Sequence, residues 1–251
     1  MNNTKIGDIE RLNKLQIAGA ITETEFKLLK KQIMGELSSE IDNNVYKSVK
    51  IGEQEWMAEN LNVDHFRNGD IIPEAKTNEE WIKAGEEKQP AWCYYNNNSS
   101  NGEKYGKLYN FYAVSDPRGL APKGWHVPTD AEWTVLTGYL YYVYAVIDSG
   151  AEGTALKATS GWIDFEGQSA NGTDDYEWNG LPGGERYGDG DFSSIGYVGL
   201  WWSSSQRGEK TFDKERNTGD AWYRDLSNGS DYVYRYSHYK DYGFSVRCLR
   251  D

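Results

Sequence analysis

This chain is short of the aliphatic residues that build layered cores and rich in aromatic ones. Only 38% of its 251 residues are hydrophobic, yet 10 are Trp, 19 are Tyr and 7 are Phe. Each such ring can bury roughly 150–250 Å², so an aromatic core is expected. The 27 glycines, several in Asn-Gly or Asp-Gly pairs, predict abundant turns. Short elements and long loops follow, in one large or two small domains.

Local patterns place the elements. Val45, Lys47, Val49 and Ile51 alternate with Tyr46, Ser48 and Lys50, and Gly52 ends the run, as for a strand. Residues 55–61 predict a second strand, and 92–95 a short third one. Thr77-Asn78-Glu79-Glu80 is a capping box that opens a helix through Trp81 and Ile82. Residues 108–114 form an apolar segment, helical or buried. Thr129 and Glu132 form a second capping box, ahead of a stripe of Trp133, Leu136 and Leu140. Beyond Gly150 the chain is loop-rich, with strands expected at 199–204, 221–225, 231–236 and 244–249.

Residues 1–37 are of a different kind. Ile6, Ile9, Leu12 and Leu15 recur at helical spacing, Gly19 interrupts, and Thr22-Glu23-Thr24-Glu25 restarts a stripe of Phe26, Leu29 and Ile33. A helical hairpin is expected there, then a polar linker over 38–44 and the main domain over 45–251. About thirty residues bury too little to stand alone. The hairpin must pack on the main domain or on copies of itself.

The tail carries the most specific functional signal. From Ser227 to Tyr242 the chain is Tyr, Ser, Asp, Asn, Gly and His, with Val233, Arg235 and Lys240 as the exceptions. This is the residue diet of a paratope: rings give contact area at low entropic cost, and small polar groups give adaptable hydrogen bonds. A half-exposed edge strand would read similarly, because aromatics suit pleated surfaces. The candidate ligand-binding residues are Asp225, Ser227, Ser230, Asp231, Tyr232, Tyr234, Tyr236, Ser237, His238, Tyr239 and Asp241. Residues 204–207 and Asp220 are candidate neighbours. Trp201 and Trp202 fall on opposite faces of a strand, so at most one can offer a stacking platform.

Other functions have less support. A net charge of −12 argues against nucleic-acid binding. No apolar run reaches the ~20 residues that span a bilayer, so no membrane insertion is expected. Residues 1–5 carry no apolar signal core, which predicts synthesis in the cytoplasm and leaves display on a virion or cell surface open. Cys93 and Cys248 are expected as buried thiols rather than a disulfide. His65, His126 and His238 lack metal-ligand spacing, and His126, between Trp125 and Val127, reads as structural. No nucleophile elbow, phosphate loop or dinucleotide fingerprint occurs. The acidic stretches 174–177 and 188–192 offer oxygen ligands for a loop-bracing Ca²⁺, against solvated turns as the simpler reading. No enzyme and no other cofactor is expected.

Several blocks carry a resemblance. Residues 45–61, 105–114 (Tyr-Gly-Lys-Leu-Tyr-Asn-Phe-Tyr-Ala-Val) and 119–133 (Gly-Leu-Ala-Pro-Lys-Gly-Trp-His-Val-Pro-Thr-Asp-Ala-Glu-Trp) resemble the Fibrobacter succinogenes major paralogous domain. So do 181–184, 199–204 (Gly-Leu-Trp-Trp-Ser-Ser) and 243–248 (Gly-Phe-Ser-Val-Arg-Cys). Residues 128–133 and 243–247 are also similar to the formylglycine-generating group of C-type-lectin-like folds. The resemblance implies an α+β, C-type-lectin-like domain whose C-terminal loops and strands form a ligand face. That group's activity needs a cysteine pair, and Cys93 lies far in sequence from Cys248, so the activity is not carried over.

The same fold serves the variable proteins of diversity-generating retroelements, in which adenine mutagenesis turns Asn codons into Tyr, Ser, Asp, Gly and His codons. Residues 225–242 resemble that footprint, with Arg224, Leu226, Val233, Arg235 and Lys240 as fixed scaffold. Residues 9–15, 19–22 and 25–31 resemble the SHOCT helical hairpin, which implies a homo-oligomer. The expected partner is a protein or glycan ligand at a cell surface. The alternatives are a fixed lectin-like or structural surface or virion component, and an enzyme of the formylglycine-generating or carbohydrate-active type.

Overall fold

The computed structural model describes residues 46–144, 151–208 and 219–251, with positions 11, 14–17, 20–22 and 26 of the N-terminal segment. Of that segment, positions 11, 14–17 and 26 are helical and 20–21 bend. The rest of the expected hairpin and the linker lie outside the described residues.

The main body is α+β. The strand β1 (Ser48–Ile51) pairs antiparallel with β2 (Gln54–Met57) across the turn that Gly52 predicts. Then come α1 (Asn78–Glu86), β3 (Trp92–Cys93), α2 (Gly102–Tyr105), β4 (Leu108–Asn110), α3 (Phe111–Val114) and β5 (Trp125–His126). The longest helix, α4 (Asp130–Tyr144), is followed by α5 (Glu152–Leu156), β6 (Glu185–Arg186), β7 (Phe192–Ser193), β8 (Val198–Gly208) and β9 (Asp220–Ser227). The chain closes with β10 (Tyr234–Tyr239), β11 (Gly243–Phe244) and β12 (Leu249–Arg250). Among the described residues these form three sheets, in the orders β1-β2-β12-β5, β10-β9-β8 and β3-β4-β11-β6-β7. Among the described residues no helix is long and apolar enough to cross a membrane.

Both capping boxes form as the sequence predicts. The backbone N–H of Glu80 donates to Thr77 Oγ1, and that of Thr77 donates to the Glu80 carboxylate. Thr129 and Glu132 exchange the same two bonds at the start of α4. Each satisfies backbone donors that the first helical turn leaves without partners. The stripe of Trp133, Leu136 and Leu140 is fully buried. The apolar run 108–114 proves to be both a strand and a helix, since Asn110 ends β4 and caps α3 through Ala113 N–H.

The core is aromatic, and the β8-β9-β10 sheet divides it. On one side, Trp56, Trp133, Trp178 and Trp201 form a chain with ring separations of 4.7, 6.0 and 5.1 Å. On the other, Trp202 packs 4.3 Å from Phe244 and 5.5 Å from Phe111. The expected alternation of Trp201 and Trp202 is present, but neither is a platform: both are buried, one in each cluster.

The tail strands differ from expectation in two places. The expected strand at 231–236 begins only at Tyr234, because α5 holds the preceding turn. Gly153 N–H donates to Asp231 O at 2.7 Å, Thr154 Oγ1 to Asp231 Oδ1 at 2.6 Å, and Lys157 Nζ to Ser230 O at 2.6 Å. A Cβ on Gly153 would lie 2.5 Å from Asp231 O, so this approach requires glycine. The expected strand at 244–249 is split between sheets. Phe244 pairs with Tyr109, Ser245 bridges Trp201, and Leu249 pairs with Trp56 and His126.

Cys93 and Cys248 are buried and form no disulfide. Burial pushes the Cys93 thiol up to about 12, far from the thiolate that reacts. Native protein is expected to leave both thiols unmodified by a disulfide reagent at mild alkaline pH, with both reacting after denaturation. Rapid labelling of the native chain would contradict this burial.

Candidate functional site

The antiparallel register of β9 and β10 sorts the candidate residues. Tyr234 lies opposite Asp225, Tyr236 opposite Tyr223 and His238 opposite Ala221. Side chains alternate along a strand, so Tyr234, Tyr236 and His238 share one face with Asp225 and Tyr223. Arg235, Ser237 and Tyr239 share the other with Arg224, Trp222 and Asp220.

The first face is a run of rings. Tyr232 and Tyr234 are 6.2 Å apart, and Tyr234 stacks on Tyr236 at 5.7 Å with planes 19° apart. Tyr236 is 6.1 Å from Tyr223, and His238 lies 3.7 Å from Tyr242, which reaches Tyr187 at 5.6 Å. Tyr232 and Tyr236 are 46% and 48% exposed, whereas Tyr223 is 8% exposed. The run therefore has a rooted base and displayed tips. Ser230 Oγ donates to Tyr234 Oη and accepts from Tyr232 N–H, which fixes the first two rings.

The second face is an anchor. Asp130, at the start of α4, receives Arg235 through Nε and Nη2 at 2.9 and 2.8 Å, and Arg224 Nη1 at 2.8 Å. Arg224 also donates to Asp130 O and Thr134 Oγ1. The Arg235 guanidinium lies 3.5 Å from the Trp222 ring centroid. Burial works against the Asp130 carboxylate, yet the Arg235 and Arg224 bonds hold its pKa below the ordinary value.

The remaining candidates are divided. Ser237 is turned to the anchor face, where it accepts from Arg207 Nη1 at 2.7 Å. Tyr239 is on that face too. Ser227 Oγ accepts from Gly229 N–H, and Asp231 is held by α5. The Asp241 carbonyl accepts from Trp81 Nε1 at 3.0 Å, and its Cβ would be 2.9 Å from one built on Gly85, so it seats the tail on α1. Of the neighbours, Asp220 is buried and Gln206 accepts from Lys240 Nζ.

Asp225, a candidate from the sequence, is joined by a carboxyl that the sequence did not single out, Glu185. Glu185 and Asp225 are half-buried, and the charge of each acts on Tyr223. Asp225 Oδ1 is shut off from solvent with no hydrogen-bond partner. Burial pushes Asp225 up to about 6, against the pull of Lys157. Burial and the Asp225 charge push Glu185 up to about 7. Burial and the same two carboxylates raise the Tyr223 phenol.

These shifts predict a pH dependence. A carboxyl with a raised folded pKa holds its proton more tightly folded than unfolded. Its contribution to stability is complete below its unfolded pKa and is lost as the pH rises through the folded value. Replacing Glu185 by Gln and Asp225 by Asn removes that loss. The double variant should therefore gain in thermal midpoint over the wild type as the pH rises from about 5 to about 8. A gap that stays constant over that range would contradict the raised values.

Other candidate chemistry is accounted for by local bonds. His126 places Nδ1 2.9 Å from Asp251 and Nε2 3.0 Å from Glu132, so it ties β5 to the α4 cap. The carboxylates of the two acidic turns take part in local hydrogen bonds. Asp174 accepts from Asn179 N–H, Asp175 from Tyr144 Oη, Asp189 from Asp191 N–H and Asp191 from Asn78 Nδ2. Among the described residues no group of three or more His, Cys, Asp or Glu is placed to hold a metal ion. Clefts of about 450, 360 and 290 Å³ lie around Ile71 and Lys83, Lys104 and Asn179, and Tyr46 and Val63 respectively, and no residue of the tyrosine face lines any of the three.

One polar cluster joins the blocks on which the resemblance rests. Asn60 Oδ1 accepts from Trp201 Nε1 at 2.8 Å and Arg247 Nη2 at 2.6 Å, while Asn60 Nδ2 donates to Tyr105 O and Ser245 Oγ. Residues 49–250 match the Fibrobacter succinogenes major domain. The chain belongs to that family. The Fibrobacter succinogenes major domain thus spans the second residue of β1 through β12, including both faces of the β8-β9-β10 sheet. The blocks 45–61, 105–114, 199–204 and 243–248 of this domain meet through Asn60. No curated protein and no solved structure matches the chain.

Proposed function

We propose that this chain is a non-enzymatic binding protein that recognises a protein or glycan ligand through the tyrosine face of β9 and β10. The carrying observation is the division of labour across the strands. Arg224, Leu226 and Arg235, read from the sequence as fixed scaffold, point to the α4 side, and Val233 packs against the tryptophan cluster. Tyr232, Tyr234 and Tyr236 display their rings on or beside the opposite face. An arrangement of this kind lets displayed residues change while the scaffold stays put.

Three finer readings go with it. The domain is C-type-lectin-like, its tail is diversified by a retroelement, and the N-terminal segment is a SHOCT-like hairpin that gathers copies. Multivalency then raises avidity without new contacts. A near-identical copy of the tail-coding bases, differing at adenines and lying beside a reverse transcriptase gene, would support diversification. Flanking DNA without one would leave a fixed lectin-like or structural domain.

The binding test is a paired screen on glycan and protein arrays, with the wild type beside Tyr232→Ala and Tyr236→Ala. The expected result is a ligand held by the wild type and lost by variants that still fold. A ligand held equally by all three would sink this reading of the face.

A further inference from the structure

The two faces of the β9-β10 pair use the same kinds of group, and one of them is complete. On the anchor face an aromatic ring, Trp222, and a carboxylate, Asp130, hold the guanidinium of Arg235 between them. The chain repeats this arrangement elsewhere: Arg118 lies 4.1 Å from the Phe66 centroid and pairs with Asp116 at 2.8 Å. The tyrosine face has the rings, Tyr223, Tyr234 and Tyr236, and the carboxylates, Asp225 and Glu185. Among the described residues the cation that acts on Asp225 is Lys157, and it is committed to Ser230 O and lies 5.1 Å from the Trp162 centroid.

Ring faces carry negative charge density and attract cations, more strongly when water is excluded. A carboxylate beside them favours a planar, forked donor over a point charge. The net charge of −12 adds a long-range pull on basic partners.

We propose that the tyrosine face takes a guanidinium: an arginine side chain of a protein partner, laid against the exposed Tyr236 ring with its charge toward the half-buried Asp225 and Glu185. This rests on the face being a recognition surface and names the chemistry it selects.

The test uses backbone-amide NMR of the full chain titrated with N-acetyl-arginine amide. N-acetyl-citrulline amide, a neutral near-isostere, is the control. Saturable shifts at Tyr223, Asp225, Tyr236 and Glu185 are expected with the arginine compound and not with citrulline. In Asp225→Asn, whose folding the same spectrum checks, affinity should fall about fivefold or more. No saturable shift at these amides, or equal shifts with citrulline, would overturn the proposal. The array screen separates this failure from failure of the face. A ligand lost in Tyr236→Ala yet held normally by Asp225→Asn would keep the recognition surface and reject the guanidinium.

Discussion

Arg247→Ala is expected to lower stability by about 3–5 kcal/mol, combining a cavity with stranded acceptors that cost about 1–3 kcal/mol each. The side chain is wholly buried and lies 4.0 Å from the Trp178 ring centroid. Its guanidinium donates to Trp178 O, Asn179 O and, through Nε and Nη2, Asn60 Oδ1. No carboxylate is within ion-pair distance among the described residues, so carbonyls and an aromatic face hold the charge. Burial pulls its pKa down, but guanidinium basicity is high enough to keep it protonated at neutral pH. Lysine cannot reproduce the fork, so Arg247→Lys should recover little. For a domain of this size the thermal midpoint should drop by roughly 10 °C. A midpoint within about 3 °C of the wild type would show that the Asn60 cluster does not hold the sheets together.

Asp130→Ala is the second large effect. It leaves Arg224, whose side chain is 2% exposed, as a buried charge without its carboxylate. Breaking a buried pair from one side costs about 3–5 kcal/mol, whereas an exposed pair contributes about 0–1 kcal/mol. Arg235→Ala alone should therefore cost far less, because Arg235 is 46% exposed. The combination Asp130→Ala with Arg224→Met should be more stable than Asp130→Ala, since the stranded charge is gone. Thermal unfolding of the three variants beside the wild type separates these contributions. Equal losses for Asp130→Ala and Arg235→Ala would mean that burial of Arg224 is not what makes the site costly to break.

Local chemistry was the legible part of the fold. The capping boxes at Thr77 and Thr129, the turn at Gly52 and the stripe on α4 depend on residues a few positions apart, and each formed as read. The aromatic core followed from composition alone. What the sequence hid depends on distant partners. Arg247 stands in an apolar run that reads as a single strand, and its reason for being there, Asn60, is 187 positions away. Tyr232 reads as one strand with Tyr234 and Tyr236, but α5 pulls residues 230–231 into a turn that no periodicity announces. At the candidate site, composition marked Tyr234, Tyr236, Ser237, His238 and Tyr239 together, and only the β9-β10 pairing put Ser237 and Tyr239 on the other face. Asp225 was legible as their neighbour only once the register was known. Glu185 was not legible at all, because it arrives from another sheet.

The central claim is that the tyrosines of this face are displayed by the fold rather than required by it. The direct measurement is thermal unfolding of the chain carrying Tyr232→Ser, Tyr234→Ser and Tyr236→Ser together. Display residues should cost little, so cooperative unfolding within about 5 °C of the wild type is expected. Core aromatics would cost about 3–5 kcal/mol each, and loss of cooperative unfolding in the triple variant would place these rings in the core and contradict the claim.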